Sequence, residues 1–487
     1  MIELKDILYK VNLNAVKGAT GISVKNLHFD SRKVEKGDVF VAVRGQVADG
    51  HDYINTAINN GALAIVCETL PKDLETGITY VEVEDSSKAL AIMASNFYGN
   101  PSENLKLVGV TGTNGKTTVA SLLYQLFKKA GFKVGLLSTV KVLIDNKELK
   151  ATHTTPDSIT INSHLKQMND AGVEFCFMEV SSHGIHQNRT LGLHFAGGIF
   201  TNITHDHLDY HKTFAEYRNV KKSFFDGLPP SAFALTNSDD KNGSFMLQNT
   251  KAKTFTYGLK SYADYRAQIL ENQLSGLLLK VNDSEVWTRL IGNFNAYNIL
   301  AVYGTAELLG LGKEEILRLI SDLETVSGRF QYVISDDKIT AIVDYAHTPD
   351  ALKNVLETVN SIRTKNETLI TVVGCGGDRD KTKRPKMGHI ASALSSKVIF
   401  TSDNPRTEDP EAILRDIEAG VEPQHFKKTL TITDRRQAIK TACQMANPED
   451  IILIAGKGHE TYQEINGERF DFDDFKIVQE FLKQMQK

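Results

Sequence analysis

Cysteine is scarce in this sequence, and no Cys-x-x-Cys pair occurs. The four thiols, Cys67, Cys176, Cys375 and Cys443, lie far apart in 487 residues. That excludes zinc ribbons and thioredoxin-type redox sites. Scattered thiols in a long chain suit a reducing cytosol, so a cytoplasmic protein is expected. No run of about 18 apolar residues occurs, so no membrane span is expected. The N-terminus, MIELKDILYKVNLN, carries Glu3 and Asp6 and lacks the apolar core of a secretory signal. Basic residues are not in excess: 56 Lys and Arg stand against 60 Asp and Glu, a formal charge of −4. A general nucleic-acid coat protein is therefore disfavoured, and neither nucleic acid nor a membrane is expected as a partner. Internal repeats, low-complexity tracts and long charge runs are lacking too.

What is present reads as globular. Apolar residues make up 41% and charged residues 24%, which disfavours disordered and fibrous classes. At about 150 residues per domain the length implies roughly three domains, since one core does not normally grow so large. In the first hundred residues, VFVAV (39–43) and ALAIVC (62–67) read as strands, and YINTAINNGA between them as a helix stopped at Gly61. The loop around Gly99, Asn100, Pro101 and Ser102 marks a boundary. A second unit opens with the apolar run 106–111 and continues through runs at 134–139, 173–180 and 197–203. A third uses runs at 339–345, 368–374, 397–402 and 450–458. Strands alternating with helices predict doubly wound, mostly parallel α/β sheets in both. The expected limits are 1–102, 103–330 and 331–487. The strands of the last two units end in polar, glycine-containing motifs, and ligands of open α/β sheets bind at those carboxyl ends.

The strongest motif is Gly112-Thr113-Asn114-Gly115-Lys116-Thr117-Thr118, between a strand and a helix. Glycines let backbone amides turn inward around phosphate oxygens, and the helix N-terminus adds partial positive charge. Lys116 can reach the β- and γ-phosphates and the Thr117 hydroxyl can ligate Mg²⁺. Val110, not glycine, stands six residues before Lys116, so the spacing departs from the usual pattern, and a structural turn is the competing reading. Glu179 ends a strand, where an acid serving Mg²⁺ would sit; a merely solvated carboxylate is the alternative. TNITHDHLDYH (201–211) gathers His205, Asp206, His207, Asp209 and His211. Zinc is compositionally possible, but the spacing fits no familiar structural zinc pattern. Lys221, by itself, is an ordinary helix lysine.

TGTNGKTT, the acid after a strand, NITHDHLDYH, GNFNAYN (292–298), SGRF (327–330) and DYAHTPD together resemble the Mur ligase family, and the resemblance spans essentially the whole chain. That family makes amide bonds in peptidoglycan precursors using ATP. The resemblance implies three α/β domains: a small N-terminal UDP-sugar-binding domain, a central P-loop ATPase domain and a Rossmann-like C-terminal domain that holds the amino acid. GCGGDRDKTKRP (374–385), DNPR (403–406) and AGKGHETYQ (455–463) resemble the member that adds the third residue. The implied substrates are ATP with Mg²⁺, UDP-N-acetylmuramoyl-L-alanyl-D-glutamate and meso-diaminopimelate, with L-lysine as the alternative amino acid, and a monomer is expected.

Residue by residue, the resemblance implies catalytic or metal-holding roles for Lys116, Thr117, Glu179, His207 and Lys221. Lys221, four residues after Tyr217, is to be carbamylated to N6-carboxylysine. Asn295, Asn298, Arg329 and Asp344 match positions near the nucleotide or hinge; helix capping or surface pairing is the plain alternative. Phe29, Ser31, Gln46, Val47, Ala48, Thr154, Thr155, Ser181, Gln187 and Arg189 match the UDP-sugar-peptide site. His153 stands where many members have asparagine. Arg379, Asp403, Asn404, Pro405, Arg406, Gly456 and Glu460 match the diaminopimelate site. Arg406 suits the distal carboxylate because guanidinium binds carboxylate bidentately; a surface pair with Glu408 or Asp409 competes. Other classes fit less well. A GTPase-like switch needs Asn-Lys-x-Asp, and Asn146-Lys147-Glu148-Leu149 lacks the aspartate. A non-catalytic nucleotide module would not need the three C-terminal motifs, and a folylpolyglutamate-synthetase-like ligase would not need the N-terminal one.

Overall fold

The structure is a computed structural model. It describes every residue except Met1, Gln46, Val47, Thr152 and His205, Asp206 and His207, and the side chains of all but these and Leu208 and Asp209. The strands form three main sheets, each drawn from one stretch of chain. The N-terminal sheet has five strands in the order Leu13–Lys17, Thr79–Val83, Ala64–Cys67, Val39–Val41, Leu27–His28. All neighbours in it are parallel except the first pair. The expected helix between two of these strands is Ile54–Asn59, preceded by a 3-10 turn.

The central sheet has eleven strands. Lys106–Thr111 lies between Phe175–Glu179 and Phe195–Phe200, parallel to both. The chain leaves this strand on one side and later returns on the other, so its carboxyl end is a topological switch point, where such sheets bind ligands. Helices Lys116–Lys129 and Asn293–Leu308 pack on one face, and Ser158–Asp170 and Phe214–Asp226 on the other. The sheet is mostly parallel, as expected, with antiparallel strands added at both edges. Tyr265–Gln273, Gly276–Val281 and Ser284–Thr288 extend it as an antiparallel meander, and a second antiparallel hairpin, Val142–Ile144 with Lys147–Leu149, closes the other edge. Tyr265–Gln273 alternates buried and exposed positions at its start, the pattern of a strand with one wet face.

The C-terminal sheet runs Gln331–Ile334, Thr340–Asp344, Ile451–Ala455, Leu369–Val373, Lys397–Phe400, Thr429–Thr431, parallel except for the first pair. Leu369–Val373 and Ile451–Ala455 are buried at every position, because helices cover both faces. No helix among the described residues is long and apolar enough to cross a membrane.

One ion pair ties this last unit together. Arg435 and Asp474 are fully buried and joined twice, at 2.9 and 2.7 Å, and Arg435 also donates to the Ala455 carbonyl at 3.1 Å. Arg435→Met strands the Asp474 carboxylate in the interior and should cost about 3–5 kcal/mol. Arg435→Met with Asp474→Leu should recover most of that loss, because the desolvation penalty of both charges disappears. Chemical denaturation of the three proteins checks this; a single variant as stable as the parent contradicts it.

Candidate active site

The phosphate loop occupies the switch point. Gly112 and Gly115 have φ of 152° and 89°, where side chains are strained. A Cβ on Gly112 would lie 1.9 Å from Thr201 Oγ1, and one on Gly115 would lie 2.7 Å from Asn298 Oδ1. The neighbouring loop holds the turn in place: the Asn114 amide donates to Asn202 Oδ1 at 3.0 Å, and Thr201 Oγ1 donates to the Asn114 carbonyl at 2.6 Å. Thr113 Oγ1 meets the Tyr217 hydroxyl at 3.0 Å. Thr118 is buried in the first turn of the following helix. Lys116 folds back over the loop and donates to the carbonyls of Gly112 (3.0 Å) and Thr113 (2.8 Å).

Glu179 is fully buried at its strand end. It accepts from the Thr117 hydroxyl at 3.0 Å and from the Thr139 amide at 2.7 Å. The helix Phe214–Asp226 lays Lys221 under the same loop: its ammonium donates to the Gly112 carbonyl at 2.9 Å and is 1% exposed. Lys222 turns away and pairs with Asp226 at 2.6 Å. The two adjacent lysines therefore point to different partners. His207, with His205 and Asp206, lies outside the described residues.

From just before strand Gln331–Ile334, Arg329 donates to Thr117 Oγ1 at 3.1 Å. Asp344 accepts from the Phe330 amide at 2.7 Å, and burial pushes its carboxyl up to about 6 although Arg329 opposes the shift. Asn295 and Asn298 sit in the buried helix Asn293–Leu308. Asn298 donates to Asn295 Oδ1 at 3.0 Å, and Asn295 donates to the Ile291 carbonyl at 2.8 Å. Neither is a surface residue, which removes surface pairing as their explanation. Asn114 also reaches Asp350 of the C-terminal unit at 3.4 Å.

The expected UDP-sugar-peptide residues fall into two groups. Five form one network beside Glu179. Thr154 accepts from Thr139 Oγ1 at 3.0 Å. Thr155 donates to the Glu179 carbonyl at 2.8 Å and accepts from the Ser181 amide at 2.9 Å. Arg189 donates to the Thr155 carbonyl and, through two nitrogens, to Gln187 Oε1, at 2.6, 3.0 and 2.6 Å. Gln187 in turn donates to the Tyr210 hydroxyl at 3.1 Å. The others lie in the N-terminal unit. Phe29 is 41% exposed, Ser31 is buried and accepts from Asn60 at 2.9 Å, and the Ala48 carbonyl accepts from the Gly45 amide at 3.0 Å. Gln46 and Val47 lie outside the described residues.

The C-terminal motifs converge at the carboxyl ends of their strands. The Asn404 carbonyl, one residue before Pro405, accepts from the Gly377 amide at 2.9 Å, and the Gly456 amide donates to the Asp344 carbonyl at 3.0 Å. Asn404 donates to Glu460 Oε2 at 2.7 Å. Arg406 has φ of 52° and donates to the Gly377 carbonyl at 2.7 Å, while Arg379 on the adjacent loop is exposed. The competing surface pairs for Arg406 do not form: Glu408 binds Arg384 at 2.8 Å and Lys381 at 3.2 Å, and Asp409 binds Arg415 at 3.6 Å. Sequence reasoning passed over Thr139, Thr201, Asn202, Tyr210 and Lys457. Thr201 and Asn202 stood at a strand end, Tyr210 and Lys457 lay inside TNITHDHLDYH and AGKGHETYQ, and Thr139 carried no signal.

A phosphate loop at a switch point, facing a cluster of polar loops on a second α/β sheet, is the layout of an enzyme that uses a nucleotide between domains. Comparison with known proteins makes this specific. Residues 23–98 match "Mur ligase family, catalytic domain", residues 110–306 "Mur ligase middle domain" and residues 328–458 "Mur ligase, glutamate ligase domain". A protein of Cytophaga hutchinsonii named UDP-N-acetylmuramoyl-L-alanyl-D-glutamate–2,6-diaminopimelate ligase is 56% identical over all of both chains. One of the same name from Parabacteroides distasonis is 53% identical, again over all of both chains. A solved structure of an enzyme with that name superposes with a TM-score of 0.71 at 32% identity, covering 100% of this chain and 99% of the other. The chain belongs to the Mur ligase family.

Proposed function

We propose that this protein is an ATP-dependent ligase that joins meso-diaminopimelate to the D-glutamate of UDP-N-acetylmuramoyl-L-alanyl-D-glutamate. The observation that carries the reading is full-length identity of 56% to a relative named for that reaction. It is supported by the bringing together of the phosphate loop, Glu179 and the hinge residue Arg329 around Thr117. We take 1–102 as the UDP-sugar domain, 103–330 as the ATP domain and 331–487 as the amino-acid domain.

A carboxylate is a poor electrophile, so ATP first phosphorylates it. The resulting acyl phosphate is attacked by the free amine, and the tetrahedral intermediate collapses to amide and phosphate. Catalysis of the first step is mostly positioning and charge neutralisation. Gly112 to Thr118 cradle the phosphates, and Lys116 exchanges its two loop carbonyls for the β- and γ-phosphate oxygens. Asn295, Asn298, Arg329 and Asp344 frame the nucleotide. Thr117 and Glu179 offer hydroxyl and carboxylate oxygens already 3.0 Å apart in a buried site, hard donors that fit Mg²⁺. When bound, the ion neutralises charge that develops on the transferred phosphoryl group. His207 and carbamylated Lys221 complete the donor set. Thr154, Thr155, Ser181, Gln187 and Arg189 hold the peptide end of the UDP substrate, and Phe29, Ser31 and Gln46 to Ala48 its nucleotide end. Phosphate release by the purified enzyme, with each substrate omitted in turn, tests the reaction; release that needs neither the UDP-dipeptide nor an amino acid contradicts it.

Arg406 sets the amino acid. Its guanidinium leaves the Gly377 carbonyl for the distal carboxylate of diaminopimelate, a group lysine lacks. Arg379, Asp403, Asn404, Pro405 and Gly456 shape the same pocket, and Glu460 accepts from the distal ammonium. Losing a bidentate contact to a desolvated carboxylate costs several kcal/mol, so Arg406→Ala should lower the diaminopimelate-over-lysine preference about a hundredfold. Competition between the two amino acids measures it; a wild-type preference for lysine, or an unchanged ratio in the variant, overturns the assignment.

A further inference from the structure

The amino-acid pocket contains a fully buried lysine that the reaction described above does not use. Lys457 is 0% exposed. Its ammonium donates to Asn404 Oδ1 at 2.9 Å and to Glu460 Oε2 at 3.1 Å, and stands 4.0 Å from Asp403 Oδ1. Asn404 donates to the same Glu460 oxygen at 2.7 Å, so both donors meet one oxygen and leave Oε1 to a ligand. Asp403 and Glu460 are like charges in a buried site, an arrangement in which one carboxyl tends to keep its proton. Burial and Asp403 push the Glu460 carboxyl up further than Lys457 and Asn404 pull it down, so it stands above the usual range. Burial also pushes Asp403 up, but Lys457, Arg435, the Asn404 amide and His347 together outweigh it and hold this carboxyl below the usual range.

Among the described residues no other cation donates a hydrogen bond to Glu460. Arg435 is matched by Asp474. His459 is lowered to about 3, chiefly by burial, and is neutral near pH 7. Burial raises Tyr345 and Tyr462, so both stay neutral. His347 acts on Asp403 from the neighbouring strand end.

We propose that Lys457 is a positioning residue for the incoming amino acid: with Asn404 it fixes Glu460 through Oε2, turned so that Oε1 takes the distal ammonium of a diamino acid. The proposal rests on the function read above. A neutral residue at 457 would remove the cation that pulls the Glu460 carboxyl down and the hydrogen bond that fixes its Oε2, weakening its hold on that ammonium.

The test compares diaminopimelate with 2-aminopimelate, which keeps both carboxylates and lacks only the distal ammonium. The ratio of their kcat/KM values cancels ionisation of the attacking amine, common to both. In wild type the ratio should be large and flat between about pH 7 and 8, where the distal ammonium stays charged. In Lys457→Met it should fall on the order of tenfold or more near pH 7 and recover as pH rises and Glu460 ionises. Lys457→Arg keeps the charge and should stay near the wild-type ratio. A merely structural loss lowers both substrates together, so an unchanged ratio in Lys457→Met overturns the proposal while the function stands. Should Lys457→Met not fold, a wild-type ratio that already drops between about pH 7 and 8 overturns it, and a flat one with a competent Lys457→Arg supports it. A wild-type enzyme that ligates neither compound overturns the function reading, and this inference with it.

Discussion

Lys116→Ala should remove ATP-dependent ligation almost completely while leaving the protein folded. The Lys116 ammonium is the cation that the phosphate loop itself supplies, and it rests on two loop carbonyls at 3.0 and 2.8 Å. Removing one preorganised stabiliser of transition-state charge typically costs 10²- to 10³-fold, and a loss of about 10³-fold or more in kcat is expected here. Folding should survive because the side chain is only half-buried and the turn is built by other contacts: the Asn114 amide on Asn202 and Thr201 on the Asn114 carbonyl. A thermal melt close to that of wild type beside a dead assay is the expected pair of results. Turnover within a few fold of wild type contradicts the phosphate-loop assignment.

Lys221→Ala should lose turnover by about a hundredfold or more, and a short-chain carboxylic acid in the buffer should restore part of it. The side chain is buried, with its nitrogen 2.9 Å from the Gly112 carbonyl of the phosphate loop. Carbamylation joins the lysine nitrogen to CO₂ with loss of a proton, so a cation becomes an anion. An added carboxylate can replace that anion but cannot replace an ammonium, which makes rescue informative about charge sign. Neighbouring Lys222, held by Asp226, serves as the control, because Lys222→Ala should respond to no acid. A fully active Lys221→Ala, or a rescue equally effective in Lys222→Ala, contradicts the assignment.

The parts of this site that could be read from sequence are those whose chemistry needs adjacent residues. Gly112 to Thr118 is such a run, and Glu179 was found because a strand of apolar residues ends on it. The apolar runs of the C-terminal unit were legible for a similar reason: strands covered on both faces are apolar throughout. The antiparallel meander from Tyr265 to Thr288 was missed because its polar positions face water and break up the apolar signal. Thr139 contributes a backbone amide to Glu179 across forty positions of sequence, and a backbone amide has no residue signature. Lys457 was overlooked between Gly456 and Glu460 because nothing in a sequence says that a lysine is buried. Asn295 and Asn298 could be named only by resemblance, since their helix is apolar on nearly every side and shows no face.

The left-handed backbone at Arg406 limits which neighbours this residue has in mutational space. With φ at 52°, and its amide and carbonyl both engaged by the strand turn at Glu464 and Asn466, the position already carries strain as arginine. Glycine, asparagine and aspartate tolerate such a backbone, whereas valine, isoleucine and threonine do not. Evolution or design that seeks a new amino-acid preference at this residue therefore has a short list of backbone-compatible choices. A larger apolar replacement would have to come with a rebuilt loop.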